Sequence, residues 1–172
     1  MTSQGKLPAF DPETGCVNAI VEAVRGSRNK FKFDPKHALF VHDNALPAGS
    51  TYPFDFGFIP STRGEDGDPL DVLILMDEPA FVGAVVPCRL VGAIKAEQQD
   101  EGAEAPVRND RLIGVARKTH TYAGVKELGD LPPTLVDEIE HFWVAYNEQR
   151  NRLFRPIGRI GSRAARRLVE QG

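Results

Sequence analysis

The sequence predicts one α+β domain in which short strands build a sandwich or small barrel through most of the chain and two helices follow at its end. Three observations carry this. Turn signals recur roughly every ten residues up to the Arg111–Ala116 segment, a spacing that suits a sandwich or barrel better than a βαβ layout. The hydrophobic period changes only after Pro132 and Pro133, where Leu135, Ile139, Phe142, Trp143 and Tyr146 recur at the spacing of an amphipathic helix. A length of 172 residues, 41% hydrophobic and 26% charged, is that of one globular domain, residues 1–172, with a core of its own.

Residues 1–15 are polar and rich in Pro and Gly and are expected at the surface. Val17 to Val24 carries β-branched residues at Val17, Ile20, Val21 and Val24 and suits a first strand. Gly26 and Asn29 tolerate positive φ, so a turn and a hairpin into Lys30–Phe33 are expected. Lys30-Phe31-Lys32-Phe33 alternates strictly, which puts both lysines on one face. Ala38 to Val41 begins another strand. Thr51 to Pro60 is aromatic and extended, and Pro53 and Pro60 place it at an edge or beside irregular backbone. Val72 to Met76 is apolar on both faces and therefore buried. Val82–Leu90 and Val91–Lys95 read as strands broken by Pro87 and Gly92, Glu97–Pro106 as an acidic loop, and Arg111–Ala116 as strand. Thr134 stands where it can cap the amphipathic helix, with Asp137 as a capping-box acid. Ser162 to Gln171 gives a second, shorter helix.

With 24 acidic and 21 basic residues the net charge is −3, which argues against nucleic acid as the main partner. The distribution is uneven: seven arginines and one acid lie between Arg150 and Gly172, and four acids without a base between Glu97 and Glu104. Cys16 and Cys88 have no CxxC or Cys/His companion, so neither a zinc site nor a disulfide framework is signalled. Two free thiols, an N-terminus without an apolar h-region and no stretch near the roughly 18 apolar residues of a membrane span lead us to expect a cytoplasmic protein with no membrane partner. His37, His42, His120 and His141 show no ligand spacing.

The chemistry concentrates in Glu65-Asp66-Gly67-Asp68-Pro69-Leu70-Asp71. In an extended chain Asp66 and Asp68 point one way and Asp71 the other; Gly67 and Pro69 are the residues that can bend the backbone so that all three converge. Three close carboxylates repel and raise one another's pKa unless a cation neutralises them. An all-oxygen cage suits Mg²⁺ or Mn²⁺, which keep waters for a substrate phosphate to replace. An EF-hand does not fit, because Leu70 falls at a ligand position, Asp71 where the loop needs Gly and Asp77 where it needs Glu. Lys30, Lys32, Arg25, Arg28, Arg108 and Arg111 supply the cations that, with metal ligands, phosphoryl transfer requires.

At these residues the sequence resembles the soluble, Mg²⁺-dependent inorganic pyrophosphatases. Asp66-Gly67-Asp68-Pro69-Leu70-Asp71-Val72 is similar to the family signature, Gly26 to Lys32 to its substrate-binding hairpin, and Tyr52 to Pro60 to its aromatic segment. The resemblance implies a small five-stranded barrel of the oligonucleotide-binding type with peripheral strands and two C-terminal helices. It also implies hydrolysis of pyrophosphate to two phosphates by a metal-activated water, and a homo-oligomer, often a hexamer in bacterial relatives. It makes Asp66 and Asp71 metal ligands and Asp68 the base, sets Lys30, Lys32, Arg111, Tyr52 and Tyr146 on the substrate, and makes Glu22 an outer acid.

This chain departs from the pattern in several places. Phe56 stands where a tyrosine is common, Lys32 where a glutamate is, and Asn147 where a lysine follows the helix tyrosine; His42, Asp43 and Asn44 fill the place of an arginine. The family carries two further aspartates ahead of the Arg111–Ala116 strand. Counting forward from Lys95 puts Gln98 on the first, and counting back from the strand puts Asn109 on the second and Arg111 on the lysine that follows it. A one-residue shift offers Asp110 as a ligand, with Glu97 or Asp100 as its partner. Two other readings stand beside hydrolysis of pyrophosphate. One is a relative shifted to another phosphoanhydride or phosphoester; the other is a nucleic-acid-binding module using the Arg150–Arg167 tail.

Overall fold

The computed structural model describes residues 7–172. Its strands are β1 (Val17–Ala23), β2 (Asn29–Asp34), β3 (Leu39–Ala45), β4 (Asp55–Phe58), β5 (Asp71–Leu75), β6 (Val85–Gln99), β7 (Val107–Arg108), β8 (Arg111–Ala116) and β9 (Leu153–Gly161). Its helices are α1 (Pro133–Glu148) and α2 (Ser162–Gln171). Strands β1, β4, β5, β8 and β6 pair in that order and β6 returns to β1, which closes a five-stranded ring. Every pairing in the ring is antiparallel except β5 with β8. A closed ring of mixed strands with two helices outside is the predicted α+β barrel.

Strand β5 shows why the sequence folds this way. Leu73 and Leu75 pack into one apolar cluster with Phe56, Ile113, Trp143 and Tyr146. Val72 and Ile74 face a second cluster with Val21, Ile59, Leu112 and the α2 residues Ala165 and Val169. Alternating side chains thus bury both faces of the strand, as its unbroken apolar run requires. α1 covers the first cluster with Val136, Ile139, Trp143 and Tyr146, all buried.

Several expectations are corrected. β1 does not form a hairpin with β2; it pairs with β4 and β6, and β2 and β3 make a separate two-stranded ribbon over the barrel. Of the two places expected for the aromatic segment, irregular backbone holds and the edge does not: β4 lies between β1 and β5, and Pro53 and Pro60 fall outside its four paired residues, so no ladder donor is lost. The stretches 82–90 and 91–95 merge into β6, which runs on through Gln99 into the supposed acidic loop. Pro87 has no N–H to give the ladder but its carbonyl accepts the Arg117 N–H at 2.8 Å, and β6 bulges farther on, between Leu90 and Gly92. Thr134 lies inside α1, whose N-cap is Pro132, and Asp137 bonds Arg159 of β9 instead of capping. β9, not foreseen in the arginine-rich tail, pairs with β6 from Gly92 to Gln99.

Gly57 is fixed by the closeness of β1 to β4: a Cβ there would meet the Ile20 carbonyl oxygen at 1.9 Å. Gly57→Ala should therefore cost at least about 1–3 kcal/mol, since the obstacle is backbone that cannot rotate away. Urea unfolding measures it, and an unchanged midpoint would contradict this approach of the two strands.

Candidate active site

Glu22 on β1, Lys30 and Lys32 on β2, Asp68 in the acidic turn and Asp71 at the head of β5 line one cavity of about 330 Å³, walled by Phe33, Phe58 and Pro60. The turn that presents the acids is pinned locally. Thr62 Oγ1 donates to the Ile59 carbonyl at 2.6 Å and accepts the Leu70 N–H at 3.0 Å. The Gly64 N–H donates to the Asp68 carbonyl at 2.8 Å, and the Gly67 N–H to the Gly64 carbonyl at 3.0 Å. Gly67 takes φ +87°, a conformation glycine adopts without strain. Asp66 Oδ1 accepts the Asp68 N–H at 3.1 Å and so closes an Asx turn on itself. Asp66 lines an adjoining cavity of about 320 Å³ with Arg108, Asn109 and Asp110, and Pro69 belongs to both.

The charges in this space are strongly coupled. Burial, then the like charges of Asp71 and Asp68, push the Asp66 carboxyl above its usual range. Lys32 Nζ stands 3.8 Å from Asp68 Oδ1, on exposed side chains, where screening leaves the pair little energy of its own. Burial opposes the charged form of Lys30, yet Tyr146, Glu22, Asp71 and Asp43 outweigh it and raise the ammonium pKa. Lys30 also sits 5.3 Å from the centroid of the Phe56 ring, so the phenylalanine that stands for a tyrosine still faces the cation.

Glu22 is 7% exposed, and burial pushes its carboxyl up to about 7, with Lys30 opposing and Asp71 adding to the rise. An acid whose pKa is higher folded than unfolded favours the folded state fully below its usual value of 4.5 and loses that contribution as pH rises through about 7. Without metal, Glu22→Gln should therefore gain stability over the wild type as pH is raised from about 5 to about 8, by about 3 kcal/mol. Denaturant midpoints of the two proteins at both pH values give the difference; a pH-independent difference would contradict the buried acid.

Arg111 is 4% exposed and its guanidinium lies 4.7 Å from the Trp143 ring and 5.1 Å from the Phe154 ring. Its Nη1 donates to Asp71 Oδ2 and, at 2.5 Å, to Asn109 Oδ1. Asn109 Nδ2 in turn donates to Gln98 Oε1 at 2.9 Å. The forward count from Lys95 and the backward count from β8 thus meet in a single contact between two amides. Asp110 is engaged elsewhere, accepting from the Ala96 N–H at 3.0 Å and from Arg108 through Nε at 2.8 Å and Nη2 at 3.0 Å. Glu97 pairs with Arg155 at 2.6 Å, and Asp100 with Arg152 at 3.2 Å. Asp110 therefore lies against Arg108, and Glu97 and Asp100 against tail arginines, so each of the three has a cation of the same chain beside it.

Tyr52 is buried, its ring stacked on Phe56 at 6.2 Å and tilted against Tyr146 at 6.1 Å. Burial, then Tyr146, raises its hydroxyl pKa far above neutrality, so it stays a neutral donor. Tyr146 carries a partner that the sequence reading missed: Arg150 Nη1 donates to Tyr146 Oη at 2.8 Å, four residues on. The pair borders Asp43 and Asn44 in a neighbouring cleft of about 340 Å³. Arg150 thus brings a cation to the cleft bordered by Asp43 and Asn44, and the signal for it was the i, i+4 spacing from Tyr146. Asn147 itself is buried, its Nδ2 donating to the Trp143 carbonyl at 2.8 Å.

Among the described residues no group of three or more carboxylates, imidazoles or thiolates closes around a point that could hold a metal by itself. The donors present fit a hard cation on one side. Asp66, Asp68 and Asp71 offer only oxygens and crowd charge that a cation relieves. The opposite side ends in amides and a guanidinium. The tail arginines are also largely spoken for: Arg152, Arg155, Arg159 and Arg166 all pair with carboxylates of the same chain. No helix among the described residues is long and apolar enough to cross a membrane.

Comparison with known proteins returns one family. Residues 19–172 match the family model described as inorganic pyrophosphatase. The chain is similar to the inorganic pyrophosphatase of Nostoc sp., 35% identical over 166 residues that span 96% of this chain and 94% of that one. It is similar to that of Thermus thermophilus, 38% identical over 146 residues that span 85% and 80%. The crystal structure of inorganic pyrophosphatase from Thermus thermophilus aligns with a TM-score of 0.86 at 33% identity, covering 98% of this chain and 95% of that chain.

Proposed function

The chain belongs to the inorganic pyrophosphatase family, and from that premise we propose how its residues divide the hydrolysis of pyrophosphate into two phosphates. The observation that carries the reading is the cavity in which Glu22, Lys30, Lys32, Asp68 and Asp71 meet. Lys30, Lys32 and the Tyr146–Arg150 pair bind phosphate oxygens and spread the charge of the transition state. Tyr52 keeps the Tyr146 ring in place. Asp68, on the exposed side of the turn, accepts the proton of the water whose oxygen attacks one phosphorus as the bridging P–O bond breaks. Glu22, set behind Lys30, tunes that ammonium group.

Asp66 and the carboxylate oxygen that Asp71 does not give to Arg111 would hold the divalent cation, Mg²⁺ with Mn²⁺ as a substitute, with Asp68 beside it as the base. When bound, the ion neutralises phosphate charge and makes the attacking water more acidic. Purified protein should release phosphate from pyrophosphate with either metal. No release, or faster release from a nucleotide or polyphosphate panel, would remove the assignment.

We further infer a cytoplasmic homo-oligomer, of hexamer type. A solution mass of 18.9 kDa, that of a single chain, would oppose it.

A further inference from the structure

We propose that Arg111 is a resident cation of the site: its guanidinium holds the inner face of Asp71 where a divalent ion would otherwise sit, and metal binds only on the Asp66–Asp68 side. The inference rests on the metal-dependent reading of this pocket, and its test measures binding without turnover.

Three observations carry it. First, the charge is permanent and cannot swing away. An arginine does not deprotonate in a protein, and this one is wedged between the rings of Trp143 and Phe154 with 4% of its surface exposed. Second, the oxygens on the inner side already face a donor of the chain. Asp71 Oδ2 and Asn109 Oδ1 accept from Arg111 Nη1, and Gln98 Oε1 accepts from Asn109 Nδ2 at 2.9 Å. Gln98 Nε2 then donates to Asp100 Oδ1 at 2.9 Å, which extends the chain of bonds outward and fixes the orientation of both amides. Third, Asp110, the carboxylate nearest in sequence, is held by Arg108 in a two-point contact. The buried guanidinium repels a divalent ion, and the neutral amides beside it attract one far less than the carboxylates they replace would. On the outer side, Asp66 commits only Oδ1 to its own turn and Asp68 faces solvent, with 64% of its side chain exposed.

The test is a Mn²⁺ titration of the full chain without pyrophosphate, with free Mn²⁺ followed by paramagnetic resonance and melting temperature recorded in parallel. In the wild type all tight Mn²⁺ should disappear with Asp66→Asn. Arg111→Met, whose side chain suits the slot between the two rings, should bind one more Mn²⁺ per chain or bind Mn²⁺ about tenfold more tightly. Mn²⁺ should also raise its melting temperature more than that of the wild type, because the ion relieves an Asp71 left without a partner. Arg111→Lys, which keeps the charge, should bind as the wild type does. A wild type that already holds as many Mn²⁺ ions as Arg111→Met would overturn the proposal. So would an ion that survives Asp66→Asn and is lost with Asp71→Asn, an outcome readable even if Arg111→Met does not fold. Loss of pyrophosphate hydrolysis with these binding results intact would count against the proposed reaction and leave the role of Arg111 standing.

Discussion

Asp68→Ala should lower the rate of phosphate release by about 10²–10⁴-fold while leaving the protein folded, because the variant removes a proton acceptor and almost nothing else. The Asp68 side chain is 64% exposed and its one ionic neighbour, Lys32, is itself exposed at 3.8 Å. The hydrogen bonds that shape the turn at this residue use its backbone: its N–H reaches Asp66 Oδ1 and its carbonyl accepts the Gly64 N–H. Truncation at Cβ leaves both in place, so the stability change should stay within about 0.5 kcal/mol. Initial rates across a range of Mg²⁺, with a melting curve for each protein, separate the two effects. A variant that keeps its fold and its metal yet turns over within about tenfold of the wild type would show that another group takes the proton.

Trp143→Ala should cost about 3–5 kcal/mol of stability, the largest effect expected from any single truncation in the core. Trp143 is fully buried at the centre of α1, with its ring 4.9 Å from Phe56, 5.1 Å from Phe142 and 5.4 Å from Tyr146. It also forms one wall of the Arg111 slot. The variant leaves a cavity beneath the helix that the surrounding strands cannot collapse to fill, since β4 and β8 are fixed in the closed ring. The melting temperature should fall on the order of 10 °C for a chain of this size. Trp143→Phe, which keeps an aromatic ring, should lose less than half as much. A loss below about 1 kcal/mol for the alanine variant would contradict the view that α1 is anchored at this residue. Because Tyr146 and Arg111 both rest on this ring, phosphate release should fall in the alanine variant even at temperatures where it remains folded.

These two residues mark the difference between what can be read locally and what cannot. The acidic turn was legible because its chemistry is contained in seven consecutive residues with Gly67 at the bend, although the structure sets Asp66 in one cavity and Asp68 and Asp71 in the next. The two lysines of β2 were legible for the same reason, as strict alternation places them on one face. Trp143 was legible as a core residue from the helical period, but the period says nothing of what the indole touches. The continuity of β6 was hidden by Pro87 and Gly92, whose local cost is offset by partners on β1, β8 and β9 far away in the chain. β9 was hidden because its arginines read as a solvated face until Glu97, Asp137 and Glu140 are brought beside them.

The sequence by itself determined the class of the fold, the acidic turn, the cationic strand opposite it and the helix that covers the barrel. Each follows from residues within one or two turns or a few strand positions of one another, where spacing fixes direction. Only the tertiary structure decided which carboxylates remain open to a cation. Asp110, Glu97 and Asp100 are as acidic in the sequence as Asp66, Asp68 and Asp71, yet the first three are closed by arginines and Asp71 is half closed by Arg111. The physical reason is that a carboxylate's role depends on the nearest positive charge in space, and here that charge comes from residues as far as 58 positions away.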